Sequence, residues 1–288
     1  MAFALSNIFV SRTSRSGGDK GVIFSVLVTM AISAVIWLML EASRTGMPTT
    51  PANWTAIAWF ALAGVLAMVF GRTLVFESIR RLGVTRSTAV KRLNPFFSVV
   101  LAAVLLSDPI TGLDAVGMTA IALGFALLIR EAVRRKSRLA VEHPAPLAYL
   151  FGVFGALAYA MAYILRKLGL DLMPTPAFGT LVSAVTGFAA FGVLAVASAR
   201  YRAYFAGIFT HLDRWIVLAA VMVSFGQILL FAALAYEKVS TVVMIASLEI
   251  FISILLSVLV FRTEPMPGRA VLLSAGLAMT GVVLVAAS

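Results

Sequence analysis

The second half of this chain repeats the first at a spacing of about 155 residues, and both halves consist mostly of long apolar runs. Residues 93–101 (LNPFFSVVL) align with residues 248–256 (LEIFISILL), and residues 108–112 (DPITG) align with residues 264–268 (EPMPG). A duplicated bundle of apolar helices commonly encloses a cavity between two halves that can rock against each other. The repeat therefore indicates transport before any single residue is considered.

The composition indicates that the chain folds in a lipid bilayer. Of its 288 residues, 61% are hydrophobic and 12% are charged, whereas soluble domains carry about 25% charged residues. The chain has no cysteine, two histidines and no Gly-rich phosphate loop, so we predict no disulfide, metal site, cofactor or nucleotide motor. The net charge of +11 comes mostly from connections between apolar runs, which favours lipid headgroups over nucleic acid as a partner.

Nine apolar runs are long enough to cross about 30 Å of hydrocarbon at about 1.5 Å per residue. They are residues 21–41, 53–76, 87–107, 112–130, 145–165, 177–199, 215–236, 240–261 and 269–287. Pro, Gly and charged residues separate the runs. The sequence predicts an all-α integral membrane protein with a first repeat over residues 1–131, a polar linker over residues 132–144 and a second repeat over residues 145–288.

Residues 1–11 are apolar but too short to cross the membrane. Aligning Arg12 with Arg166 places residues 2–11 over residues 156–165, the second half of the span that opens the second repeat. We therefore interpret residues 1–11 as span one, truncated at its N-terminus, and the nine long runs as spans two to ten. Five crossings per repeat invert the second copy relative to the first, about an axis in the membrane plane.

With these features the sequence resembles the drug/metabolite transporter superfamily, and within it the ten-helix EamA-type permeases, over nearly the whole chain. Residues 6–12 (SNIFVSR) resemble the end of that family's first helix, and residues 93–109 and 248–265 each lead from a polar or Pro position in an apolar run to an acidic residue and Pro. The resemblance implies cofactor-free secondary transport of a small metabolite or drug-like solute, often export, by a multi-pass protein of the bacterial cytoplasmic membrane. The shortened first helix and the Lys91-Arg92 pair depart from the family pattern.

Three of the 23 Lys and Arg lie inside the predicted spans away from their ends, namely Arg72, Lys91 and Arg92, and the other 20, including Arg166 and Lys167, fall in connections or at the ends of spans. A charge near the bilayer centre costs about 2.5–3.5 kcal/mol and needs a partner or water. Neighbouring residues differ by about 100° around a helix, so we predict that Lys91 faces a cavity and Arg92 a neighbouring helix. Snorkelling of either side chain to the headgroups is the alternative.

Spans four and nine each carry a polar stripe along one helical face. The stripes consist of Ser87, Lys91, Asn94 and Ser98 in span four and of Glu249, Ser253 and Ser257 in span nine. Asn94 aligns with Glu249 in the repeat. We predict that the two stripes line the substrate pathway and that Lys91 forms an intramembrane charge pair with Glu249. For the serines, bonds to their own helix or to a neighbouring helix are the alternative.

Further pathway candidates lie on other spans. Arg72 in span three aligns with Gln227 in span eight, which favours a polar contact from these two helices. Tyr159 and Tyr163 in span six share a helical face and can line the cavity beside Asn7, although simple packing explains them slightly better.

We expect a secondary transporter that works by alternating access, driven by a proton gradient, by an exchanged solute or by the substrate gradient alone. A membrane enzyme would need a nucleophile with a base, or metal ligands, and none are evident. A channel would show a filter loop or residue rings, and a non-transporting scaffold is the remaining alternative. Most Lys and Arg in the connections fall on one side, which predicts a C-terminus outside the cell, whereas the family usually has both termini inside.

Overall fold

All regular elements in the described part of the chain are helices. The structure, a computed structural model, describes residues 1–11, 19–45, 50–91, 93–136, 147–210, 212–261 and 268–287. The helices are α1 (Ala2–Ser11), α2 (Asp19–Ile36), α3 (Ala42–Thr45), α4 (Pro51–Val65), α5 (Arg72–Lys91), α6 (Asn94–Leu101), α7 (Gly112–Lys136), α8 (Leu147–Leu172), α9 (Pro176–Ala197), α10 (Ala199–Ala206), α11 (Arg214–Tyr236), α12 (Val239–Ser247), α13 (Glu249–Leu259) and α14 (Arg269–Ala286). Short π-helical segments follow α2, α4 and α6, at Trp37–Glu41, Leu66–Gly71 and Ala102–Leu106.

Nine apolar helical segments correspond to the nine predicted runs. Those long enough to cross a membrane are Lys20–Glu41, Pro51–Val75, Leu147–Leu172, Pro176–Ala197, Arg214–Tyr236 and Val239–Leu259, and the shorter ones are Asn94–Leu106, Gly112–Leu127 and Arg269–Val285. A helix satisfies all of its inner backbone hydrogen bonds within the segment, which hydrocarbon requires. The prediction of an all-α membrane protein is confirmed.

The connection predicted between spans three and four is helical, because α5 runs through it from Arg72 to Lys91. This helix is not straight. Ser78 and Val90 would lie about 18 Å apart along a straight helix, yet a Cβ atom on Gly152 would come within 2.8 Å of a side-chain atom of each. The chain therefore bends sharply between Ser78 and Val90, and the second arm of α5 leads into α6.

Contacts divide the chain into two compact units. The first comprises Met1–Val69 and Leu165–Glu237, and the second comprises Phe70–Ile164 and Lys238–Ser288. Each unit takes helices from both halves of the sequence. The repeat boundaries follow from the sequence correspondence and stay a prediction.

In the first unit, α2 and α9 run antiparallel. Lys20 at the start of α2 donates from Nζ to the carbonyl of Thr210, beyond the end of α9, at 2.6 Å. At the other end of α2, the carboxylate of Glu41 accepts hydrogen bonds from the backbone N–H groups of Ala177 and Phe178 at 2.9 and 3.0 Å. The start of α9 is thus joined to the π-helical segment that continues α2, and the start of α2 is joined to the turn that follows α10.

In the second unit, α7 and α14 also run antiparallel and approach closely through small residues. Gly117 lies against Gly281, whereas Gly124, further along α7, lies against Ser274 and Ala278, which come earlier in α14. The pairs α2 with α9 and α7 with α14 are equivalents in the predicted repeats. Antiparallel packing of equivalent helices is what inverted repeats require.

Spans four and nine share one apolar core in the second unit. Its buried members are Val99, Ile121, Phe125, Met244, Leu248, Phe251, Ala278, Val282 and Val285. The rings of Phe125 and Phe251 stack with centroids 5.6 Å apart. This core holds α6, α12 and α13 together and positions the polar residues that follow.

Candidate functional site

Spans four and nine each contain one tight turn at an equivalent leucine. The backbone angles are φ −72° and ψ −16° at Leu93, and φ −65° and ψ −11° at Leu248. Each leucine N–H donates to the carbonyl three residues earlier, on Val90 at 3.0 Å and on Ile245 at 3.1 Å. Pro95 favours the turn in span four because it lacks an N–H and its ring excludes the carbonyl four residues back. Span nine turns in the same way without a proline, so the kink is shared by both repeats.

A polar residue directly follows each kink, and a serine one turn later bonds to it. Ser98 Oγ donates to the carbonyl of Asn94 at 2.9 Å and lies 3.1 Å from Asn94 Oδ1. Ser253 Oγ donates to the carbonyl of Glu249 at 2.7 Å. These are the own-helix bonds that were the alternative for the serines. Because a tight turn advances about 120° per residue instead of about 100°, the predicted stripe of span four stays close to one face across its kink, and the stripe of span nine lies entirely after its kink.

The two kinks present different chemistry. Glu249 is the first residue of α13 and is half-buried. The exposed N–H groups of a helix N-terminus stabilise a carboxylate there by about 0.3–1 kcal/mol. Asn94 occupies the same position in α6 and is neutral. The first repeat therefore offers an amide where the second offers an acid.

Lys91 ends α5, and its Nζ lies 5.5 Å from the centroid of the Tyr159 ring. Tyr159 shares a face of α8 with Gly152 and Gly155, since the three are spaced at helical intervals. Side-chain atoms of Val90 would meet a Cβ on Gly152 at 2.8 Å, so α5 and α8 can approach only because this face carries glycine. That approach brings the ammonium over the ring. The predicted pair of Lys91 with Glu249 stays a prediction.

The remaining pathway candidates are divided between the two units. Arg72 in α5 and Tyr163 in α8 are half-buried and belong to the second unit with Lys91. Asn7, exposed on α1, and Gln227, half-buried on α11, belong to the first unit. Arg92 lies outside the described residues.

Two cations that the sequence placed in a connection lie inside α8, and this prediction is wrong. Arg166 is only 4% exposed, with its guanidinium carbon 4.8 Å from the centroid of the Phe231 ring. Lys167 Nζ donates to the carbonyl of Leu234 at 3.1 Å and lies 3.2 Å from Asp171. An aromatic face and helix-end carbonyls can hold cations within a span. The apolar residues after Lys167 were the signal that the helix continues.

Glu41 is a second residue that the sequence reasoning missed. Its two carboxylate oxygens accept the first N–H groups of α9, and the rings of Trp37 and Phe178 pack beside this cap with centroids 5.4 Å apart. No local sequence pattern predicts this contact, because Glu41 and the residues that it caps are more than 130 residues apart along the chain. Within the described residues, no three His, Cys, Asp or Glu side chains gather to hold a metal ion.

Comparison with known proteins agrees with this architecture. Residues 1–130 match the EamA-like transporter family. The resemblance to the EamA-type permeases is confirmed. A solved crystal structure of a protein is similar to this one over 98% of this chain and 92% of the solved chain, with a TM-score of 0.66. The sequence identity is 14%, so the similarity shows the fold alone. No curated protein matches the chain. The family match covers 130 of the 288 residues, and the apolar helices are those of a multi-pass membrane protein.

Proposed function

We propose that this protein is an EamA-type permease, a secondary transporter that exports a small solute by alternating access. The observation that carries the proposal is the family match over the first repeat, in a chain whose equivalent helices pack antiparallel. Inverted repeats provide two similar arrangements of one bundle, each open to one side of the membrane. A solute that binds both arrangements is carried across as they interconvert.

We assign the substrate pathway to polar side chains beside the kinks and on the neighbouring spans. They are Lys91, Asn94, Ser98, Glu249, Ser253, Tyr159, Tyr163, Arg72, Asn7 and Gln227. In this proposal Glu249 links solute movement to its driving force, because protonating the carboxylate or pairing it with Lys91 changes which arrangement is favoured. The driving force is a proton gradient, an exchanged solute or the substrate gradient alone, and uptake with and without a pH gradient tests the first of these.

The test is uptake of labelled metabolites into proteoliposomes, with and without an imposed pH gradient. We expect protein-dependent accumulation of at least one solute, and slower accumulation with Glu249→Gln. A dependence on the gradient that Glu249→Gln removes would identify proton coupling at this residue. Glu237→Gln, which neutralises an exposed acid between α11 and α12, is the matched control. Accumulation no faster than in empty liposomes for every solute would refute transport, and chemical conversion of a solute would indicate an enzyme instead.

A further inference from the structure

Lys91 is the exposed last residue of α5 and lies directly before the apolar segment Asn94–Leu106. No acidic residue in the described part of the chain forms a salt bridge with it. Its repeat equivalent, Ala246, lies inside the 21-residue apolar segment Val239–Leu259, so the first repeat carries a cation where the second carries a methyl group. The contact that the structure gives the ammonium is the face of Tyr159, with Nζ 5.5 Å from the ring centroid. A cation–π contact at an exposed site is weak, so an anionic group of a solute can displace the ring.

Asn94 supplies a second hydrogen-bond donor next to this charge. Ser98 Oγ lies 3.1 Å from Oδ1 of Asn94, so the amide oxygen is directed toward the serine. The amide nitrogen carries two hydrogens, and no described residue accepts a hydrogen bond from it. The side chain is half-buried, so it is partly accessible to a solute.

Lys91 and Asn94 are three residues apart on one helical face. An ammonium and an amide N–H at this spacing match the two oxygens of one carboxylate, which accepts hydrogen bonds only. The corresponding residue of span nine is Glu249, an acid, so the second repeat does not duplicate the site. We infer that Lys91 and Asn94 bind the carboxylate group of the transported solute, with Tyr159 holding the ammonium when no solute is present. This inference rests on the proposed transport function.

The test is equilibrium binding to the purified full chain in detergent, by calorimetry and by thermal shift. The probes are benzoate, phenylacetate and hexanoate, each paired with its neutral amide, so that only the charge and one acceptor differ within a pair. We expect at least one carboxylate to bind and to raise the melting temperature, with its amide at least about tenfold weaker, since a hydrogen bond to a charged group is worth a factor of this size or more.

Variants locate the site. Lys91→Met should weaken carboxylate binding by about 10- to 100-fold, Asn94→Asp should weaken it through like charges, and Lys91→Arg should retain most of it. Lys238→Met, which removes an ammonium from the start of α12, is the matched control and should bind normally. The melting temperature without ligand shows whether each variant is folded. If Lys91→Met does not fold, Asn94→Asp still tests the site independently.

Three results would overturn the inference. They are no binding by any of the three carboxylates, equal binding of acids and amides, and unchanged binding in Lys91→Met and Asn94→Asp. The outcome is separate from that of the uptake experiment. Carboxylate binding that depends on Lys91 without uptake would refute transport and leave the site intact, whereas uptake that is indifferent to Lys91 would refute the site alone.

Discussion

Replacing Gly281 with alanine tests the close antiparallel contact of α7 with α14. A Cβ at this position would lie 2.7 Å from Cγ1 and 2.9 Å from the backbone nitrogen of Ile121, and closer still to the carbonyl oxygen of Gly117. Two of these three atoms are backbone, so no rotamer change relieves the overlap. The two helices must separate, and each contact along their seam is weakened.

The expected cost follows from comparing this glycine with another in the same helix. Overpacking of a close interface costs about 1–3 kcal/mol, while alanine gains about 0.5–1 kcal/mol over glycine within any helix. Gly276 is also in α14 but has no atom within 4 Å of the position of a Cβ, so Gly276→Ala should show the gain alone. The two variants should therefore differ by about 1–3 kcal/mol in stability, with Gly281→Ala the less stable.

The assay is thermal unfolding of the purified protein in detergent, followed by intrinsic fluorescence. At about 2–4 °C per kcal/mol, Gly281→Ala should melt about 2–12 °C below Gly276→Ala. Using Gly276→Ala as the reference removes the helix-propensity gain that the two variants share. If Gly281→Ala melts at or above the temperature of Gly276→Ala, the helices do not meet at this glycine, and the antiparallel pairing of α7 with α14 loses its support.

Three further predictions concern charges. Glu41→Ala should lower the melting temperature by an amount equivalent to about 1.5–3 kcal/mol, because two N–H groups of α9 lose a charged acceptor. Glu237→Ala should change the melting temperature little, and equal effects of the two variants would contradict the capping role of Glu41. Combining Lys91→Ala with Glu249→Gln should restore part of the stability that Lys91→Ala loses, and strict additivity in a double-mutant cycle would exclude their coupling. A C-terminal fusion to a reporter active only in the cytoplasm should stay dark, because the charge bias places that end outside, and a bright signal would reverse the orientation.

The sequence determined the architecture because the bilayer leaves few choices. A chain in hydrocarbon must form helices of a set length, so counting apolar runs located nine segments that the structure contains as helices. The repeat alignment of Leu93 with Leu248 is matched in the structure by equivalent kinks at the two leucines. The same alignment, with an odd number of spans per repeat, predicted inversion, in agreement with the antiparallel equivalents in each unit. The resemblance to the EamA-type permeases followed from this order of features.

Tertiary packing decided which partner each polar side chain has. The ammonium of Lys91 lies on the ring of Tyr159, because glycines on α8 let that helix approach α5. Arg166 was placed in a connection from its charge, but the ring of Phe231 holds it inside the bundle. The cap that Glu41 provides for α9 joins residues far apart in the chain. Apolar periodicity is a local property that the sequence displays, whereas the partner of a charge depends on which helices become neighbours, and only the folded chain specifies that.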